Sequence, residues 1–473
     1  MFGLEPALFA LLVICLVAAC AFEFINGFHD TANAVATVIY TNSLKPTPAV
    51  IWSGICNATG VLVGGITVAM GIVELLPPEV QSGSNTQLAL LLILSMLTSA
   101  IIWNLLTWYL GIPCSSSHTL VGSIIGVGLA FSMTEGREFG SGVNWSKSMD
   151  IGLSLLVSPL FGFTAAALLL MASKWFIKDK VIFEEADPKK VPPFWIRSIL
   201  ILTCTGVSFA HGNNDGQKGI GLLMLILITA VPSYFVLNNK MDYKELPAIV
   251  QRIETQLAAL PASAINAENE GRITAMKAAT KTVLSLTSSY KMSNMESIPA
   301  EERPKIRQQV VTILRNFSKA KIADEDMLKA ANNNPTATLK ASIDELSPYT
   351  DYAPVQISIL VSLCLGIGTM IGYKRIVVTI GEKIGKSHMS YAQGASAELI
   401  ASSTILMASQ LGLPVSTTHV LSSGIAGTMV ASDGTKNLQG STLTNIGLAW
   451  VLTLPVTIGL SVGFFFLFRV FLL

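Results

Sequence analysis

Apolar stretches recur along the chain near 7–25, 49–73, 88–110, 151–171, 197–210, 219–237, 354–372, 392–411 and 443–471. Most approach the roughly 20 residues that carry a helix across a bilayer. Two more apolar runs, 112–132 and 413–430, open on a proline and a polar cluster. Such a start suits a re-entrant hairpin or broken helix, because a polar break at membrane depth survives only where it lines a protein cavity. Between 239 and 352 the pattern reverses: polar residues dominate, and apolar positions recur at helical spacing, Val250, Ile253 and Leu257, then Ile306, Val310, Ile313 and Phe317. This spacing predicts a small helical bundle outside the lipid. The expected fold is an all-α polytopic membrane protein with a helical extramembrane insertion.

Composition strengthens that picture, with 51% hydrophobic and 13% charged residues and a mean hydropathy of +0.57 over 473 residues. These values argue against a soluble enzyme. A net charge of +1, with basic residues scattered among loops, offers no face for nucleic acid. The six cysteines (Cys15, Cys20, Cys56, Cys114, Cys204, Cys364) lie in apolar stretches without CxxC spacing, and read as small core residues. No Lys or Arg precedes the first apolar run, so Met1 to Cys20 reads as a true span and not a cleaved leader.

Polar chemistry inside the apolar runs is duplicated. Gly111-Ile112-Pro113-Cys114-Ser115-Ser116-Ser117-His118 is echoed by Gly412-Leu413-Pro414-Val415-Ser416-Thr417-Thr418-His419, and Gly27-Phe28-His29-Asp30 by Gly212-Asn213-Asn214-Asp215. Asp30 and Asp215 are 185 positions apart but Gly111 and Gly412 are 301 apart, so the second half carries about 116 extra residues, nearly the length of 239–352. The chain thus divides into a first transmembrane repeat (1–172), a basic linker (173–196), a second repeat (197–238 and 353–473) and the insertion (239–352). Lys174, Lys178, Lys180, Lys189, Lys190 and Arg197 place the linker in the cytoplasm, while 72–87 has no Lys or Arg. Lys374, Arg375, Lys383 and Lys386 mark a second cytoplasmic loop, which puts the insertion on the extracytoplasmic side. With the linker inside, the halves start from opposite faces, as in transporters built from inverted-topology repeats.

The hydroxyls of Ser115, Ser116, Ser117, Ser416, Thr417 and Thr418, with the N–H groups of the adjoining helix starts, would solvate a tetrahedral oxyanion from several directions. Alternatively, they bond back to the preceding turn or pack small helix interfaces. Asp30 and Asp215 are costly inside a membrane and mark an ion path or a proton relay, or else cap a broken helix. Two carboxylates beside an anion repel it, so a cation, a proton or a lysine must neutralise them. Glu23 and Glu398, also in apolar context, could line the cation route or pair with a neighbouring helix. Gly122, Gly126, Gly424 and Gly427 suit close helix packing. No HExxH, Cys cluster or Gly-x-Ser-x-Gly elbow is present, so neither a fixed metal site nor a hydrolase is indicated.

These motifs, together with Ser208-Phe209-Ala210-His211 and Gly381-Glu382-Lys383-Ile384-Gly385, resemble the PiT inorganic phosphate transporter family, and within it the bacterial low-affinity Pit permeases. The likeness spans both halves and leaves out 239–352. It implies a multi-pass protein of the bacterial inner (cytoplasmic) membrane, importing phosphate with cation coupling, as a metal-phosphate complex with Mg²⁺ or another divalent cation. Arsenate would pass as an analogue, no cofactor is implied, and the chain could pair as a homodimer. The sequence departs from the family pattern of Asn-Asp followed three residues later by Asn: His29 precedes Asp30, and Lys218 follows Asp215. An ammonium can act as a tethered cation and histidine titrates near neutrality, which favours proton over sodium coupling through His29, Asp30, Asn33, His211, Asp215 and Lys218. Sodium symport remains an alternative, as does sulfate as the anion. Lys218 could instead snorkel to an interface and His29 cap locally.

Overall fold

The computed structural model describes residues 3–472 except 74, 76–84, 135, 188, 262–263, 267–268, 289, 291–292, 332–333 and 335–337; the side chains of residues 31–33, 73 and 382 are also outside the described set. The described chain is helical, with two isolated bridges as its only β pairing. Two compact units form, one of Met1–Gln81, Asn85–Ile226 and Ala353–Leu473, the other chiefly Leu227–Tyr352.

In the larger unit the helices are α1 (Pro6–Tyr40), α2 (Pro46–Val63), α3 (Thr67–Val73), α4 (Thr86–Tyr109), α5 (Ser116–Ser132), α6 (Trp145–Phe176) and α7 (Phe194–Ala230). Helices α8 (Leu246–Ala258), α9 (Glu270–Ser288), α10 (Arg303–Lys319), α11 (Asp324–Ala330) and α12 (Leu339–Leu346) belong to the smaller unit. The larger unit resumes with α13 (Val355–Thr369), α14 (Lys374–Glu382), α15 (Tyr391–Gln410), α16 (Thr417–Asp433) and α17 (Gly440–Leu472). Among the described residues, five helices, α1, α4, α6, α7 and α17, are long and apolar enough to cross a membrane, and the pair α13–α14, bent by 65°, adds a sixth. Leu156 of α6 and Val451 of α17 are each 72% exposed, as a lipid-facing surface requires.

Two sequence expectations change. The runs 197–210 and 219–237 are not separate spans; α7 runs unbroken through His211–Lys218 to Ala230. The break is unnecessary because neighbouring helices satisfy those polar side chains and leave the backbone ladder intact. Lys374 and Arg375 likewise open helix α14 and do not lie in a loop.

Each half presents the same close approach to the other. Beside α13, a Cβ on Gly27 of α1 would fall 2.4 Å from Leu365 O, and one on Gly368 2.1 Å from Phe24 O. Beside α2, a Cβ on Gly212 of α7 would fall 2.0 Å from Asn57 O, and one on Gly60 2.2 Å from Phe209 O. The short hydroxyl helices are exchanged too. Helix α5 lies on α17, with Gly126 against Ile458 and Ser461, and α16 lies on α6, with Gly427 against Phe163; Gly122 meets Thr457, while Gly424 makes ordinary contact with Ala397. Gly212→Ala is expected to destabilise the fold by about 3 kcal/mol through overpacking against a backbone that cannot retreat. The melting temperature of the purified protein measures this, and an unchanged value would contradict the close approach.

In the smaller unit, Val250, Ile253 and Leu257 of α8 and Ile306, Val310 and Ile313 of α10 are buried. The buried Arg307 guanidinium donates to Val236 O (2.9 Å) and Thr350 O (2.8 Å). Nearby, burial pushes the Asp351 carboxyl above the usual carboxylate range, partly offset by Ser347 and Arg307.

Candidate functional site

Two matching turns set up the site. Gly111 and Gly412 both adopt φ +68°, the left-handed region that glycine enters without strain. Each is followed by an extended serine, Ser115 or Ser416, whose side-chain oxygen accepts from the backbone N–H of His118 (3.2 Å) or His419 (3.1 Å) and caps α5 or α16. Capping uses one N–H at each helix start and leaves others pointing along the axis. The starts meet: Ser117 Oγ donates to Val415 O (2.9 Å), and the His118 and His419 rings lie 4.4 Å apart. Trp450 ties both motifs together, stacking on His419 at 3.8 Å and donating its indole N–H to Pro113 O (3.4 Å).

Across from these starts lie the polar segments of α1 and α7. Asp30 accepts from Ser116 Oγ (3.0 Å) and Thr418 Oγ1 (2.6 Å), so one carboxylate holds a hydroxyl from each motif. Ser116 Oγ also lies 3.3 Å from Asp215 Oδ2. The Lys218 ammonium, 1% exposed, donates to Asp215 Oδ1 (2.6 Å) and Ser117 Oγ (2.5 Å). It therefore does not snorkel to an interface. His29 Nε2 is 3.2 Å from Thr107 Oγ1 and its Nδ1 3.5 Å from Asp30 Oδ1.

His211 stands between the two aspartates, with Nε2 3.6 Å from Asp30 Oδ2 and 3.5 Å from Asp215 Oδ2. Its Nδ1 is 2.8 Å from Asn57 Oδ1, and the Asn57 amide nitrogen donates to Thr369 Oγ1 (3.0 Å). With the amide assigned by that network, Asn57 Oδ1 is an acceptor and His211 Nδ1 carries the hydrogen. Nε2 is then left facing two carboxylate oxygens. One ligand atom from each of Asp30, His211 and Asp215 lies within 4.8 Å of the others, close enough for a cation placed among them to be near all three.

The fold therefore gathers Asp30, His29, His211, Asp215, Lys218 and both hydroxyl motifs into one buried cluster from α1, α5, α7 and α16. The side chain of Asn33, expected beside them, is outside the described set. Thr417, also buried, is not in the carboxylate network. Sequence reasoning did not single out Asn57, Thr107, Thr369 or Trp450, although Asn57 had a signal, an amide alone in an apolar helix. Asn214 falls within a quoted motif and Asn26 lies immediately before another, but neither had an assigned role. Asn26 Nδ2 donates to Asp215 Oδ2 (3.4 Å), and Asn214 Nδ2 donates to Ser409 Oγ (2.9 Å) and Leu413 O (3.2 Å), fixing the second turn. Glu398 accepts from Thr203 of α7 (2.6 Å), and Glu23 is buried against Gly219 of α7.

The profile of the phosphate transporter family matches residues 26–461, a span that holds every residue of this cluster. The chain belongs to that family. It is 39% identical over 506 aligned positions to the low-affinity inorganic phosphate transporter PitA of Escherichia coli (strain K12), covering 99% of both chains. It is 41% identical to the low-affinity inorganic phosphate transporter of Buchnera aphidicola subsp. Acyrthosiphon pisum (strain APS), covering 95% of both. Among solved structures, the sodium-dependent phosphate transporter shares the fold with a TM-score of 0.54 at 20% identity, covering 98% of this chain and 99% of that one. The all-α, multi-pass membrane architecture expected from the sequence accords with this membership, and these relatives are named as transporters, not enzymes.

Proposed function

We propose that this member of the family imports inorganic phosphate across the bacterial inner membrane by proton symport, with the anion carried as a metal-phosphate complex. The observation that carries the coupling is His211: its Nδ1 is committed to Asn57 while its Nε2 faces Asp30 and Asp215. A neutral ring in that tautomer would turn a lone pair toward two carboxylates, and a proton on Nε2 converts repulsion into a bridge. With Lys218 already balancing Asp215, the protonated cluster is electrically neutral. A divalent metal with hydrogen phosphate is neutral as well, so the proton would be the charge that couples transport to the membrane potential.

Coupling between proton and substrate follows from shared donors. Ser116 and Thr418 hydroxyls are held by Asp30. A proton between His211 Nε2 and Asp30 Oδ2 competes for the oxygen that holds Ser116, and frees that hydroxyl to turn toward an oxyanion beside the N–H groups at the starts of α5 and α16. The exchanged contacts of the two halves support an inverted arrangement in which these starts form the facing walls of one site. Lys218 supports protons over sodium, because a tethered ammonium occupies the flank of Asp215 where a mobile ion would otherwise sit.

Labelled phosphate uptake into proteoliposomes tests this, with Mg²⁺ present and sodium absent. Accumulation is expected under an inward proton gradient and is expected to collapse with an uncoupler. Uptake that appears only after sodium is added would overturn proton coupling. Labelled sulfate transported in place of phosphate would overturn the substrate.

A further inference from the structure

One buried acid takes no part in the cluster described above. Glu23 of α1 is 1% exposed, and neither of its carboxylate oxygens has a hydrogen-bond partner of good geometry among the described residues. An ionised carboxyl in that position is costly, so the acid is stable there with a proton on it. Room for the group comes from Gly219 of α7, where a Cβ would fall 2.5 Å from Glu23 Cδ and 2.9 Å from its Oε1. At the matching position of the second repeat, 185 residues on, stands Ser208, bonded to Ser53 Oγ (2.8 Å). The duplicated motifs therefore do not duplicate the acid.

Its neighbours tie Glu23 to the cluster. Asn26, three residues on, shares its face of α1. The Asn26 Nδ2 donates to Asp215 Oδ2 (3.4 Å), while Asn26 Oδ1 has no donor among the described residues. The O–H of a protonated Glu23 is the donor which that oxygen lacks. The charged and titratable groups that bear on Glu23 from other helices are Asp215, Lys218 and His211 of α7 and Cys364 of α13. On α1 itself, Cys20 is one turn back; α2 and α4, which also pack on α1, contain no Asp, Glu, Lys, Arg or His.

The position has a direction. Glu23 precedes Asp30 by seven residues, roughly 10 Å along the helix. Just beyond the other end of α1, Ser43 O accepts from Arg197 Nε (2.8 Å) at the start of α7, into which the basic linker leads. With that linker read as cytoplasmic, Glu23 stands on the extracytoplasmic side of Asp30 and Asp215, the side from which an imported proton arrives.

We infer that Glu23 is the entry-side carrier of the transported proton, binding it ahead of the His211 cluster and delivering it there. The inference rests on the proton-symport reading above. Two carboxylates facing His211 Nε2 draw the proton inward. In the hand-off the Glu23 O–H bond breaks, an N–H bond forms at His211 Nε2, and the carboxylate left behind is reprotonated from the extracytoplasmic side. Asp215 makes that carboxylate short-lived, because two anions then share one wall and Lys218 balances only Asp215.

Glu23→Gln keeps the shape of the protonated acid but cannot release a proton. In proteoliposomes of the full chain, its accumulation of labelled phosphate under a proton gradient is expected to fall about tenfold or more, as for loss of a positioned proton carrier. Phosphate-for-phosphate exchange stays within about twofold, because Glu23 bonds to neither hydroxyl motif. Initial uptake by the wild type rises as the outside is acidified; in Glu23→Gln that rise flattens, and Glu23→Asp recovers part of it. A loss well short of tenfold, or an unchanged pH dependence, overturns the role of Glu23 and leaves symport standing if the wild type is proton-driven. Loss of exchange together with accumulation makes Glu23 a structural or anion-site residue and overturns it too. A wild type driven by sodium alone removes the symport reading and the carrier with it. Should Glu23→Gln fail to reach the membrane, Glu23→Leu, which fills the same buried space without a titratable group, decides alone.

Discussion

Replacing Lys218 with Met leaves Asp215 as a buried carboxylate without its 2.6 Å ammonium partner, and the yield of folded protein is expected to fall steeply. Breaking one side of a buried ion pair costs about 3–5 kcal/mol, because the remaining charge stays desolvated. That is roughly two to four orders of magnitude in the folding equilibrium, enough to deplete the membrane of folded protein. The pair can be removed together: Lys218→Met/Asp215→Asn should recover much of the abundance, since both charges leave at once. It should not recover accumulation, since Asp215 is one of the two carboxylates facing His211. Membrane abundance and phosphate accumulation measured for both singles and the double complete the cycle. Additive losses of abundance would mean that the ammonium does not neutralise Asp215.

Asp30→Asn has a different expected outcome: normal abundance with accumulation lost at least 100-fold, near the background of empty vesicles. The side chain keeps its shape, and one oxygen can still accept from Ser116 or Thr418. What disappears is one of the two negative charges facing His211 Nε2, and with it the reason for that nitrogen to hold a proton. Phosphate-for-phosphate exchange, which needs binding but no driving gradient, is expected to persist in part. Full accumulation by the Asp30→Asn protein would sink the coupling scheme, whereas loss of exchange as well would recast Asp30 as an anion-site residue.

Much of this cluster was legible because chemistry that is expensive in lipid stands out in an apolar sequence. A duplicated aspartate and a duplicated hydroxyl run, each beside a histidine, pointed to one site made by two halves, and α1, α5, α7 and α16 converge on it. Less legible was how the hydroxyls are spent. Six looked equivalent in sequence, yet Ser115 and Ser416 cap helices, Ser116 and Thr418 donate to carboxylates, and Ser117 bridges Lys218 to Val415. Those differences depend on rotation about a helix start, which spacing does not encode. The continuity of α7 was hidden for a related reason: polar residues at 211–218 read as a break until their partners on α1, α2 and α5 are known. Trp450, and Asn57 despite its isolated amide, could not be assigned to the site from sequence because each acts on a motif residue more than 30 positions away in the chain.

The exchange of α5 and α16 between halves bears on how the chain is made. Helix α5 emerges early, but the surface it lies on, Thr457 and Ser461 of α17, is synthesised more than 300 residues later. Until then Gly126 and its neighbours lack their permanent cover, and the first half must wait in the bilayer as an unfinished structure, the kind of exposed intermediate that chaperones and proteases survey. A chain stopped before Gly440 would keep both hydroxyl motifs, both aspartates and Lys218, and still have no floor beneath its first motif. Quality control during biogenesis is thus tied to the arrival of α17.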